Sequence, residues 1–184
     1  MNFAVTPDEV RTAFGLSGVT YFPRYAAAHN RVNDHTARFL SSVGLPDTEW
    51  FMSKAGLDAS DSINLSEWYS SQGTVPEECQ DWLVLGLFAY TTLALAPDSG
   101  AVYALGDGEA GLVYTQIHRD VESLVYALSK FQTLRQELEE SDADDTEARV
   151  DALRIEITEF DPLPFEDEDS QWNLAFEEVI DGIW

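Results

Sequence analysis

Carboxylates are the first chemistry this chain offers. Its 184 residues carry 34 Asp and Glu against 10 Lys and Arg, a net charge of −24. Acids at short spacing can ligate calcium or work as an acid–base pair. Asp142, Asp144 and Asp145 fall in such a run. A calcium loop needs a glycine at its sixth position to turn the backbone, and that glycine is missing. Paired catalytic carboxylates would have to be selected by the fold, and nothing in the sequence singles out two of them. Neither a metal nor another cofactor is expected.

The remaining chemical candidates read as structural. Gly106-Asp107-Gly108-Glu109-Ala110-Gly111 has the outline of a phosphate-binding loop. It lies between two strand patterns, has no lysine, and places two acids where phosphate would sit, so it reads as a flexible hairpin loop. The single cysteine, Cys79, stands beside Glu78 and near Asp81. Their charge disfavours a thiolate, and the residue reads as a small buried hydrophobe. His29, His35 and His118 have no zinc-site spacing, and no Gly-x-Ser-x-Gly elbow is present. No enzymatic activity is expected.

Binding is better supported. Residues 1–136 hold 16 acids and 8 basic residues, and residues 137–184 hold 18 acids and 2 basic residues. Two-thirds of the net charge thus sits in the last quarter. Such a surface keeps a protein soluble, and it also steers a basic partner while repelling wrong ones. Nucleic acid and anionic membrane are disfavoured as ligands for the same reason. The candidate contact residues are the acids of three segments and one aromatic pair. They are Asp107 and Glu109 in the glycine-rich loop, Asp142, Asp144 and Asp145, and Glu166, Asp167, Glu168 and Asp169. Trp68 and Tyr69 join them together with Asp58, Asp61 and Glu67, since large rings exposed among acids have the composition of an interface hot spot.

The positioning elements follow from pattern. Thr6-Pro7-Asp8-Glu9 is a capping box with proline at the first helical position, and Gly15 ends that helix. A short β run covers residues 19–22, and a helix covers 34–43. Residues 49–52 suggest a strand. Residues 57–72 read as loop with a strand near 63–65. The continuous apolar run 82–88 predicts a buried strand, followed by strands at 90–95, 101–105 and 112–117. Their connections are too short for parallel crossovers, so they form an antiparallel meander. Apolar spacing then predicts helices over 119–140, 148–160 and 172–180, with Trp172, Phe176, Val179 and Ile180 on one face of the last. The expected class is α+β, a central antiparallel sheet flanked by helices. The length suits a single domain over 1–184, with 137–169 as an acidic helical and loop segment. The first nine residues lack a secretory pattern, and the longest apolar stretch is too short to span a bilayer. The expected location is the cytoplasm.

Several segments also occur in a familiar order. They are Phe22-Pro23-Arg24, Thr36-Ala37-Arg38-Phe39-Leu40 leading to Val43-Gly44-Leu45-Pro46, and Leu83-Val84-Leu85-Gly86. Leu93-Ala94-Leu95-Ala96-Pro97-Asp98-Ser99-Gly100-Ala101-Val102-Tyr103 follows, and the last runs from Trp172 through Phe176-Glu177-Glu178-Val179-Ile180-Asp181-Gly182. Through them the chain resembles the SUKH superfamily, and within it the fourth SUKH immunity family common in actinobacteria, best over residues 19–184. The resemblance implies the SUKH α+β fold and a protein that binds and neutralises a cognate toxin, often a nuclease or nucleic-acid deaminase. Such toxins carry basic clefts, which an acidic inhibitor complements. A protein-interaction adaptor of the same superfamily, without a toxin, is the alternative. One departure stands out: the family's usual Asn-Ser-Ser type helix start here reads His118-Arg119-Asp120, of which Asp120 can still cap the helix.

Overall fold

The computed structural model describes residues 3–22, 32–53, 63–71, 75–108, 111–140 and 145–183. Helix α1 (Pro7–Phe14) starts as its sequence dictates. Thr6 Oγ1 accepts from Glu9 N at 3.2 Å, and the Glu9 carboxylate accepts from Thr6 N at 2.7 Å. Strand β1 (Val19–Thr20) pairs antiparallel with β2 (Leu45–Pro46), and α2 (Asp34–Ser42) lies between them in sequence. Gly44 closes this unit at φ +86°, and a Cβ there would meet Thr20 O at 2.8 Å and Val19 Cγ1 at 2.7 Å. Gly44→Ala therefore combines an unfavourable backbone with a clash, and a loss of about 2 kcal/mol is expected from the urea midpoint.

The main sheet runs β3 (Phe51–Ser53), β4 (Leu83–Phe88), β5 (Thr91–Leu95), β6 (Val102–Gly108) and β7 (Gly111–His118), every neighbour antiparallel. This is the expected α+β meander. Strand β4 is buried on both faces, as its unbroken apolar run requires. The glycine-rich segment corrects one expectation. Gly106, Asp107 and Gly108 extend β6 and pair with Val113, Leu112 and Gly111, so the ladder continues where a flexible loop was expected. A second correction concerns residues 63–65. Asn64 makes one bridge to Leu83, but its side chain accepts from Glu67 N and starts a helical turn, α3 (Leu65–Trp68), in place of a strand.

Helix α4 (Val121–Glu140) begins at Asp120, whose carboxylate accepts from Ser123 N at 2.8 Å. Its stripe of Val121, Leu124, Val125, Leu128, Phe131 and Leu134 is buried. Helices α5 (Thr146–Phe160), α6 (Leu163–Glu166) and α7 (Gln171–Ile180) complete that layer. Phe51, Phe88, Phe131, Trp172 and Phe176 form its aromatic centre. Ile180, expected on the buried face of α7, is 39% exposed. A smaller cluster covers the opposite sheet face with Leu65, Val75, Cys79, Val84, Ala94 and Leu105. Cys79 is fully buried there, and burial, reinforced by Glu78, raises its thiol pKa. No helix among the described residues is long and apolar enough to cross a membrane.

Candidate functional site

A cleft of about 690 Å³ opens beside the β6–β7 hairpin. Its floor is Ala104 and Gly106 of β6 with Val113, Thr115 and Ile117 of β7, the residues that alternation turns toward the helical layer. Its wall is Glu166, Asp167, Glu168 and Asp169, all exposed. Four consecutive acids on one rim repel each other, so a fixed arrangement needs internal ties.

Those ties come from neighbours that the run itself does not advertise. Ser170 caps α7 by accepting from Asn173 N at 3.1 Å, and its hydroxyl donates to Pro164 O at 2.7 Å. Asn173 donates to Asp167 O at 2.8 Å and accepts from Arg154. Asp167 also accepts from Asp169 N at 3.0 Å, turning the chain tightly. Ser170 and Asn173 are both buried, so the backbone bonds point inward and the carboxylates point to solvent. Ser-x-x-Asn directly after the acids is the sequence signal for this cap.

A buried polar relay anchors the ends of this acidic segment. Trp172 Nε1 donates to His118 Nε2 at 2.8 Å, so the ring proton sits on Nδ1. Nδ1 lies 2.9 Å from Ser123 Oγ and donates to it, and that hydroxyl donates to Asp161. Asp161 also accepts from Arg119 N at 2.9 Å and Leu163 N at 3.3 Å. Asp161 opens the acidic segment and Trp172 closes it, so one hydrogen-bonded chain staples both ends. His118 is fully buried, and desolvation, outweighing the nearby Asp161 carboxylate, lowers its pKa to about 3. Serine, histidine and aspartate therefore meet here without the geometry of a nucleophile. The serine proton points to aspartate, the free face of the imidazole is taken by Trp172, and solvent does not reach the ring.

The other expected contact residues are placed apart from this wall. Trp68 and Tyr69 correct the expectation of exposed rings. Both are half-buried, with Trp68 Nε1 donating to Thr92 Oγ1 at 3.3 Å and the Tyr69 hydroxyl donating to the same oxygen at 3.1 Å. Glu67 is exposed beside them. Asp107 is exposed near the end of β6, and alternation turns it away from the cleft floor. Asp145 is exposed just before α5. Asp58, Asp61, Glu109, Asp142 and Asp144 lie outside the described residues. Among the described residues, no three His, Cys, Asp or Glu side chains gather as a metal site.

Fold and cleft together define an acidic α+β protein built on an antiparallel meander, with a braced carboxylate wall. The chain belongs to the SUKH-4 immunity protein family, whose model matches residues 5–178 of 184. Membership gives it an immunity function, and with it a cognate toxin as partner. No curated protein and no solved structure matches the chain.

Proposed function

We propose that this protein neutralises a toxin that acts on nucleic acid, a deaminase or a nuclease, by placing Glu166, Asp167, Glu168 and Asp169 in the toxin's basic cleft. The observation that carries the reading is the braced wall of exposed carboxylates facing the 690 Å³ cleft. A toxin of this class holds a polyanion with Lys and Arg, and a row of carboxylates carried on a braced backbone offers the same groups matching charge. Asp107, Asp145 and the other acids contribute to the field that speeds encounter, and Glu67 with Trp68 and Tyr69 offers a secondary contact. In this reading the chain works as one unit over residues 1–184, in the cytoplasm, as a stoichiometric inhibitor without catalysis or cofactor.

The test is co-expression with a candidate toxin domain, taken from an adjacent reading frame where one encodes it. The wild-type chain is expected to restore growth and to form a one-to-one complex. A variant combining Glu166→Gln, Asp167→Asn, Glu168→Gln and Asp169→Asn should associate about 10-fold more slowly at low salt, with a flatter salt dependence. Equal protection and equal salt dependence in that variant would remove the wall from the interface. A result with neither rescue of growth nor a complex would sink the inhibitor reading and favour an adaptor.

A further inference from the structure

The β4–β5 hairpin turns in two residues, since Phe88 pairs with Thr91. Both turn residues take positive φ, Ala89 at 46° and Tyr90 at 65°. Two-residue hairpins favour this conformation because its twist matches the strands, and Asn-Gly is the usual solution. Alanine and tyrosine adopt it only with a Cβ clash against the backbone. Tyr90 is moreover 100% exposed, so no buried contact of its ring repays that strain.

Tyr90 is among the residues that line a groove of about 360 Å³. Trp50, Met52, Leu87 and Ile183 supply apolar walls, and Glu49 and Glu178 supply carboxylates. None of the described residues lining it is basic. Met52 is 43% exposed and Ile183 69% exposed, which leaves apolar surface open beside the acids. An aromatic face, a carboxylate and an apolar channel together match one side chain. Its methylenes lie along the walls, and its planar cation stacks on the ring while bonding a carboxylate. That is arginine; lysine's compact ammonium lacks the planar, bidentate fit. The chain already pairs arginine with rings internally, with Arg119 over Phe160 at 4.2 Å and Arg154 over Phe165 at 5.0 Å.

We propose that the groove lined by Tyr90 and Glu49 is a socket for an arginine side chain of the toxin, a second anchor beside the acid wall. The identity of the donor rests on the immunity reading; the chemistry of the socket does not. Helix α7 joins the two sites, with the acid wall at its N-terminal cap and the groove at its C-terminal end. Ten helical residues span about 15 Å, well within one ordinary protein interface.

The probe is N-acetyl-arginine amide, titrated into the full chain and followed by amide NMR shifts, with the citrulline analogue as the uncharged control. Saturable shifts at Glu49, Tyr90, Glu178 and Ile183 are expected with arginine and not with citrulline. Tyr90→Ala should weaken binding about fivefold, the worth of an exposed cation–π contact. Equal shifts with citrulline, or unchanged binding in Tyr90→Ala, would overturn the socket. A double variant, Ala89→Asn with Tyr90→Gly, relaxes the turn and should raise Tm while weakening arginine binding about as much as Tyr90→Ala does. A lower Tm would overturn the idea that strain is kept for docking, because the turn would then serve the fold. Failure of the co-expression test with arginine binding intact would instead sink the immunity reading and leave the socket standing.

Discussion

Replacing Trp172 by alanine is expected to lower folding stability by about 4 kcal/mol, near the upper end for a single substitution. The side chain is completely buried and meets Phe88 at 4.5 Å, Phe131 at 5.9 Å and Phe176 at 6.1 Å between ring centroids. Alanine leaves a large void that those rings cannot close without leaving their rotamers. It also strips His118 Nε2 of its donor at 2.8 Å, leaving a buried acceptor unsatisfied at a cost of about 1–3 kcal/mol. Trp172→Phe separates the two effects, because it keeps most of the volume and loses only the donor. Guanidinium unfolding should therefore rank wild type above phenylalanine and phenylalanine well above alanine. A phenylalanine variant as stable as wild type would show that the relay contributes nothing measurable. Since Trp172 closes the acidic segment, the alanine variant should also expose residues 161–171 to faster amide exchange.

The second large effect is a pH dependence. The folded state holds His118 neutral with a pKa lowered from 6.5 to about 3, because the imidazolium would be stripped of water. Between those values the unfolded chain binds a proton that the folded chain refuses. Stability from this group is therefore intact above pH 6.5, falls as the pH drops, and levels off near pH 3. The total is on the order of 5 kcal/mol, at about 1.4 kcal/mol per pH unit. The 34 acids work in the opposite sense, since protonating them relieves the repulsion of a chain at −24. The wild-type curve alone mixes both. Comparison with His118→Gln isolates the histidine, because the acids are common to both proteins. Between pH 6.5 and 5 the wild type should lose about 2 kcal/mol relative to the variant in urea midpoints. Parallel curves would contradict a buried neutral imidazole.

These two residues mark the boundary of what pattern reading reaches. Trp172 was legible as a core residue, because it recurs at helical spacing with Phe176 and Val179, and all three are buried. His118 was legible only as a departure at a helix start. Its role depends on Trp172, 54 positions later, and on Asp161, 43 positions later. No local pattern encodes such a pairing. Tyr90 shows the same limit from the other side. Its β-favouring neighbours predicted a strand beginning there, and only the two-residue register between Phe88 and Thr91 forces it into the turn and out to solvent. The extension of β6 through Gly106 and Gly108 has a similar cause. Glycine weakens a strand locally, but pairing with β7 along its length outweighs that preference.

The sequence by itself determined the longer helices, the antiparallel meander, the α+β class and the concentration of charge in residues 137–184. All of these depend on capping groups, side-chain periodicity or composition, which act over a few neighbouring residues. Tertiary structure alone decided which acids share a surface. It set residues 166–169 along one cleft wall, turned Asp107 from that floor, and drew Trp68 and Tyr69 inward to Thr92. The physical reason is that carboxylates impose no local geometry of their own: their positions follow from how distant apolar faces pack and where buried polar groups find partners.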